Sequence, residues 1–297
     1  MGYAEAVISV PPEHLPGKVE LPRDAPGDPE KHFTTREAAH IENKQVFLSR
    51  LDQNLSALPE ADREIIVFIH GYNTRFPEAL YRFTQFIHDL NEPAVPVLFT
   101  WASGGRLRDY IYDLNSAAIA RDSLAETLVE LAESRAERIS VVAHSMGGWL
   151  FMETLRQLPK KDLRKVASRF ETVVLAAPDI DVDAFEAALR KIGRPPVPYF
   201  VVVSRDDRAL GLSRLLAGGI ERVGSYSKAE ELTELGAIII DATDLEDGNF
   251  ANHSKFADLA KHASQIQQVI DSGHLKDKSG VSTPLPLLEG LVSVAGG

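Results

Sequence analysis

Residues 139–148 read Ile-Ser-Val-Val-Ala-His-Ser-Met-Gly-Gly: an apolar run rich in β-branched residues, a serine at 145, two glycines, and then a helix-forming stretch. Strand, turn and helix in this order are the setting in which a serine becomes a nucleophile. A sharp, strained turn lifts the hydroxyl above the edge of a sheet. Strand and helix crowd there, so the positions two before and two after the serine must be small. Gly147 satisfies this, and Ala143 satisfies it with one methyl where glycine is more usual. The chemistry such a serine performs is acyl transfer. The oxyanion that forms needs two N–H donors, and losing one costs on the order of 3 kcal/mol. Met146, at the positive end of the following helix, offers the first amide. An earlier run, Ile65–Ile69, ends in His70-Gly71-Tyr72-Asn73-Thr74. A glycine after a strand lets the backbone turn an amide into the site, and the Tyr72 N–H is the candidate second donor. The plainer readings are a Ser-Met-Gly-Gly helix cap and a strand-ending turn in which His70 is a structural histidine.

A serine hydroxyl needs a base, and the base needs an acid to orient it. The chain order that accompanies a strand–Ser–helix turn is serine, acid, histidine. The run Tyr199–Val203 enters Ser204-Arg205-Asp206-Asp207-Arg208, so Asp207 is the first candidate acid. Asp206 is the second, and Asp179, in Ala-Ala-Pro-Asp after the preceding strand, is the third. Carboxylates not used this way cap turns or pair with Arg205 and Arg208. His253 lies in Gly-Asn-Phe-Ala-Asn-His-Ser, beyond the run Ala237–Ile240, and is the candidate base. Its neutral imidazole can accept the serine proton near neutral pH. His70 precedes the serine, His144 points away from the turn, and His262 falls within a helix, so none of these takes the role. Trp101 and Tyr110 are the candidates for substrate contact, with core packing as the equal alternative. No spacing of His, Asp or Glu forms a metal site, and no glycine run forms a phosphate loop, so neither metal nor cofactor is expected.

These residues need a sheet to hold them. Short apolar runs stand at Ile65–Ile69, Val95–Trp101, Ile139–Ala143, Thr172–Ala176, Tyr199–Val203 and Ala237–Ile240. Helical patterns lie between them at 77–91, 114–136, 147–158, 181–192 and 254–271. Runs apolar on both faces alternating with helices predict a doubly wound, mainly parallel sheet. Upstream, 3–10 reads as a strand, 11–33 as an irregular proline-rich arm, and 35–57 as a helix. Only 22 residues separate Ala176 from Tyr199, too few for a large cap. Residues 1–275 are expected to form one domain, with 1–60 as an arm, strand and helix packed on it and 276–297 as a flexible tail.

The chain has 297 residues, 44% of them apolar, and a net charge of −11. An acidic surface repels phosphate backbones, which excludes nucleic acid as a ready partner. The basic run Lys160, Lys161, Arg164, Lys165 and Arg169 reads as a solvated helix face. There is no cysteine, so disulfides and thiolate nucleophiles are excluded. No signal peptide is visible at Met-Gly-Tyr-Ala-Glu-Ala and no membrane span is present. The chain as it stands is expected in the cytoplasm, or in the periplasm or on a lipid anchor if a leader precedes it. Its oligomeric state is open.

Taken together, Val-Phe-Ile-His-Gly-Tyr-Asn-Thr (67–74), Phe-Thr-Trp-Ala-Ser-Gly-Gly (99–105), Ala-His-Ser-Met-Gly-Gly (143–148), Leu-Ala-Ala-Pro-Asp-Ile-Asp (175–181), Ser-Arg-Asp-Asp-Arg-Ala-Leu (204–210) and Asn-His-Ser-Lys-Phe (252–256) resemble the α/β-hydrolase superfamily. Within it they resemble a bacterial esterase/lipase branch long described as a domain of unknown function. The resemblance covers residues 2 to about 270. It implies an α/β-hydrolase fold without a large cap, ester hydrolysis, a small-molecule ester substrate, and Asp207, the residue before Arg208, as the acid. The expected activity is that of a serine carboxylesterase on short- to medium-chain esters. A lipase, thioesterase or amidase with the same triad is the alternative, and a non-catalytic binding module is a third reading.

Overall fold

The computed structural model describes residues 1–24, 26–203, 223, 232–241 and 291–293. Its centre is a parallel sheet built from β-branched runs. Strands β3 (Glu64–Ile69), β4 (Val95–Phe99), β5 (Arg138–His144), β6 (Phe170–Ala176), β7 (Tyr199–Val203), β8 (Ala237–Asp241) and β9 (Leu291–Ser293) lie in the order β4-β3-β5-β6-β7-β8-β9. Every pairing in it is parallel. Strand β9 falls within the stretch expected to be a loose tail, and adds an edge strand there.

Alternate residues of each strand face opposite sides, as a pleat requires. Ile65, Val67 and Ile69 of β3 join one apolar cluster, whereas Ile66 and Phe68 join the other. The larger cluster is closed by α1 (Lys44–Ser56), α3 (Tyr110–Glu133), α4 (Met146–Gln157) and α6 (Val182–Ile192), through side chains such as Leu55, Leu124, Leu128, Phe151 and Phe185. The second is closed by Phe83 and Phe86 of α2 (Phe76–Leu90). A sheet with helices on both faces buries both sides of its strands, which is why these runs are continuously apolar rather than alternating.

Local chemistry sets the helix ends. Asn43 Oδ1 accepts from the Val46 amide (3.0 Å), and Asp181 Oδ1 accepts from Ala184 (3.1 Å), so α1 and α6 each begin on a side-chain cap. Helix α2 carries a proline in its first turn and stops where Asn91 turns left-handed, with φ 50°. Helix α5 (Lys160–Ala167) buries Val166 and leaves Lys160, Lys161, Arg164 and Lys165 in solvent, as the basic run predicted. Arg169, the last residue of that run, instead lies beyond the helix, half-buried, and donates to the Ala136 carbonyl (3.1 Å).

One expected element differs. Residues 35–57 do not form a single helix: Thr34–Ile41 is a strand, β2, paired antiparallel with β1 (Tyr3–Ser9), and the helix begins only at Lys44. Of the apolar residues that set the helical spacing, Phe47, Leu48, Leu51 and Leu55 lie within α1. Ile41 lies before it, buried at the end of β2, and Leu58 lies just past its C-terminal end, packed against the core. Helix α1 cannot extend back past its cap at Asn43, and Thr34 and Thr35 suit a strand. The two-stranded sheet is held to the domain by Tyr3, stacked on Phe47 of α1 at 4.7 Å. Lys44 pairs with the buried Glu130 of α3 at 2.6 Å. The proline-rich arm between β1 and β2 is pinned by His14, whose ring nitrogens lie 2.8 Å from Glu20 and 2.8 Å from Asp89 of α2.

The core of α3 sets a measurable stability. Leu128 is fully buried and Ile119 of the same helix is 79% exposed. Leu128→Ala is expected to cost about 2–5 kcal/mol in urea unfolding, and Ile119→Ala to stay within about 0.5 kcal/mol of the parent.

Candidate active site

In an open parallel sheet, ligands bind beyond the carboxyl ends of the strands, at the point where strand order reverses. Here β3 is flanked by β4 on one side and β5 on the other, so the reversal lies between β3 and β5. The chain leaves β3 into His70-Gly71-Tyr72 and leaves β5 into Ser145. The register Ile69↔Ala143 puts the two exits side by side.

Ser145 has φ 52° and ψ −122°, a conformation that costs a side-chain-bearing residue about 1–3 kcal/mol. It persists because the surrounding backbone holds it. The Ser145 N–H donates to the Ala176 carbonyl at the end of β6 (2.9 Å), and its own carbonyl accepts from Gly148 (2.9 Å) and Asp179 (3.2 Å). Helix α4 begins at the next residue, so the Met146 amide is among those the helix leaves without an internal acceptor. The fit depends on two glycines. A Cβ on Gly147 would lie 2.4 Å from the Ile69 carbonyl oxygen and 2.5 Å from that of His70. One on Gly71 would lie 2.9 Å from Cβ of Ser145. The exit of β3 thus packs directly against the serine turn, which places Tyr72 one residue beyond the contact.

His70 is 1% exposed and lies between the two loops that leave β3 and β4. The Trp101 N–H donates to its Nε2 (3.2 Å). Nε2 therefore carries no proton, and Nδ1–H donates to the Gly71 carbonyl (2.9 Å). Burial drives the ring toward its neutral form. The Gly71 hydrogen bond and the nearby charge of Asp113 pull the other way but are outweighed. The Trp101 indole lies flat on the His70 ring at 5.0 Å and donates from Nε1 to the His70 carbonyl (3.0 Å). Strand β4 ends at Phe99, two residues before the expected Trp101, because Trp101 leaves the sheet to make these bonds. His70 is structural, as its place in the chain suggested. Trp101 is 7% exposed and packed against it.

Tyr110, at the start of α3, is 4% exposed. Its ring meets Tyr72 edge-on at 5.3 Å, and its hydroxyl donates to Oδ2 of Asp179 (3.0 Å). Asp179 follows β6, is 4% exposed and is joined to the serine turn through its own amide. The structure thus brings together Ser145, Met146, Tyr72, Tyr110 and Asp179, with Trp101 behind the Tyr72 loop. Asp206, Asp207 and His253 lie outside the described residues. Strands β7 and β8 run parallel to β5, so the chain leaves both at the edge that carries Ser145. Among the described residues no group of three His, Cys, Asp or Glu side chains could hold a metal ion. No helix among them is long and apolar enough to cross a membrane.

Residues 42–272 match the model of a family described as "Alpha/beta hydrolase of unknown function (DUF900)". The chain belongs to this α/β-hydrolase family. Its parallel central sheet with helices on both faces is an α/β arrangement, as that family description states. No curated protein matches the sequence. Solved structures with a similar backbone include Thermogutta terrifontis esterase 2 phosphorylated by paraoxon, with a TM-score of 0.40 and 15% identity over 68% of this chain and 82% of that one. The same esterase phosphoramylated by tabun gives a TM-score of 0.38 and 14% identity over 69% and 84% of the two chains.

Asp113 has no place in the motifs read from the sequence. It stands in Tyr-Ile-Tyr-Asp-Leu, in the first turn of α3, where an acid is ordinary dipole pairing. It is nevertheless completely buried. In the sequence its one signal is an acid set among large apolar residues in Tyr-Ile-Tyr-Asp-Leu.

Two measurements follow. Gly147→Ala forces a methyl onto two carbonyl oxygens and is expected to lower stability by at least about 1–3 kcal/mol, read as a shift in the urea midpoint. For His70, the folded value is held below the ordinary 6.5, so below that pH the unfolded chain binds the extra proton first. Its contribution is complete above about pH 6.5 and is lost as pH falls through the folded value. The stability gap between the parent and His70→Asn should therefore narrow from pH 7.5 to pH 5.

Proposed function

We propose that the protein is a serine carboxylesterase, hydrolysing short- to medium-chain carboxylic esters through an acyl-enzyme. The observation that supports this best is the left-handed backbone of Ser145, held at the head of α4 and directly against the exit of β3. Strain of this kind survives where function uses it. Ser145 Oγ attacks the ester carbonyl while His253 takes its proton. The charge that develops on the carbonyl oxygen is met by the Met146 and Tyr72 amides. Collapse breaks the ester C–O bond, and His253 returns the proton to the departing alkoxide. Water then repeats the sequence on the acyl-enzyme, with His253 again as base. The acid holds the imidazole in the tautomer that can accept and stabilises the imidazolium that forms.

Asp207 is the acid in this reading. Asp179 is favoured as the alternative by its place, since its amide bonds to the serine turn and its carboxylate accepts from Tyr110. The β6–β7 interval is filled by α6, which supports a site without a large cap in that interval and so shorter acyl chains. Trp101 and Tyr110 are proposed to shape the acyl side through Tyr72 and Asp179.

Hydrolysis of p-nitrophenyl acetate, butyrate, octanoate and palmitate tests the reading, with a p-nitroanilide to separate esterase from amidase. Turnover should fall about 10⁴-fold or more in Ser145→Ala. Unchanged turnover in that variant would remove Ser145 from the chemistry, and a protein silent on every ester would favour a binding module. The acid is decided by Asp207→Asn against Asp179→Asn. The larger loss in kcat, expected at Asp207 on the order of 10⁴-fold, marks the residue that orients the base.

A further inference from the structure

We infer that Asp113 is the positioning residue of the oxyanion loop: a buried carboxylate, remote from substrate, that sets the Tyr72 amide where the developing charge will be. The inference rests on the serine-hydrolase reading above.

Asp113 Oδ2 accepts from the Asn73 amide (2.9 Å) and from Ser103 Oγ (2.6 Å), and Oδ1 accepts from the Gly104 amide (2.6 Å). Ser103 Oγ in turn accepts from the amides of Thr74 (3.1 Å) and Gly105 (3.2 Å). One carboxylate and one hydroxyl therefore satisfy four backbone donors, two from the loop after β3 and two from the loop after β4. The Tyr72 carbonyl accepts from Thr74 Oγ1 (3.1 Å), and Gly71 is fixed from the other side by His70 Nδ1. Every peptide flanking the Tyr72 amide is thus held by a named partner, and Asp113 holds the one immediately after it. Asn73 sits there with φ 53°, so the loop reverses direction at the residue that Asp113 anchors.

The charge matters as well as the shape. A fully buried carboxylate is costly unless donors surround it, and three donors plus the first turn of α3 do so here. An uncharged acceptor of the same size would hold these donors less strongly, because hydrogen bonds to an ionised acceptor are about twice as strong. An oxyanion donor must lie within a few tenths of an ångström of its place, and a misplacement of about 1 Å costs on the order of 10²-fold in rate.

Asp113→Asn keeps the volume and replaces one acceptor atom with a donor. In the full-length protein kcat for p-nitrophenyl butyrate is expected to fall ten- to a hundredfold, with KM within threefold of the parent. A trifluoromethyl ketone, which adds to Ser145 to form a bound oxyanion, should lose affinity by the same factor. Leu128→Ala, in the same helix and destabilising for a different reason, should leave kcat and the ketone affinity unchanged below its unfolding temperature. Should Asp113→Asn not fold, Ser103→Ala serves in its place, with an expected loss of several-fold on the same two readouts. Normal kcat and normal ketone affinity in a folded variant would overturn the role, as would a rise in KM at constant kcat. Labelling of Ser145 by a fluorophosphonate separates the two levels. A variant that labels and turns over like the parent sinks the role of Asp113 alone, whereas a parent that neither labels nor turns over sinks both readings.

Discussion

Strand β5 passes into helix α4 across a single residue, and the start of that helix lies so close to the end of β3 that a methyl at position 147 would sit 2.4 Å from a carbonyl oxygen. Much of the site's geometry follows from that approach. With the helix so near, the connecting residue has no room for an ordinary turn, and Ser145 takes a left-handed φ of 52°. Three backbone hydrogen bonds, to or from Ala176, Gly148 and Asp179, keep it there. The strained residue is thus over-determined by its neighbours, which is the condition for such strain to persist in a folded protein.

The same approach joins the serine turn to the loop that leaves β3. Because β3 and β5 are adjacent and parallel, their exits emerge on one edge, and Gly71 lets the two chains touch. The loop is then fixed by two buried titratable groups of opposite character. His70 is kept neutral by burial and by a backbone N–H aimed at Nε2. Asp113 is surrounded by donors instead. A neutral ring can stack on Trp101 and accept a hydrogen bond without the cost of a buried cation, and a carboxylate can gather amides from two loops at once.

Much of this was legible in the chain. The parallel sheet showed as β-branched runs apolar on both faces, and the serine turn showed as a strand, a serine and two glycines in a row. The strand β2 was not legible. Its residues, Thr-Thr-Arg-Glu-Ala-Ala-His-Ile, are mostly exposed and carry no period-2 apolar signal, and the helical spacing that follows them overran the boundary. What makes them a strand is their pairing with β1, some 30 residues away in the chain. Local propensity cannot report such a partner.

The sequence by itself determined the order of the strands from β3 to β8, the family, and the turn at Ser145. These depend on near neighbours in the chain: the size of residues 143 and 147, the run before the serine and the helix after it. Only the tertiary structure decided which side chains hold the turn and the loop beside it. Trp101 lies on His70 at a separation of 31 residues, Asp113 reaches Asn73 across 40, and Tyr110 reaches Asp179 across 69. Each contact exists because parallel strands bring distant loops to one edge of the sheet. There, burial makes an unpaired polar group too costly to leave.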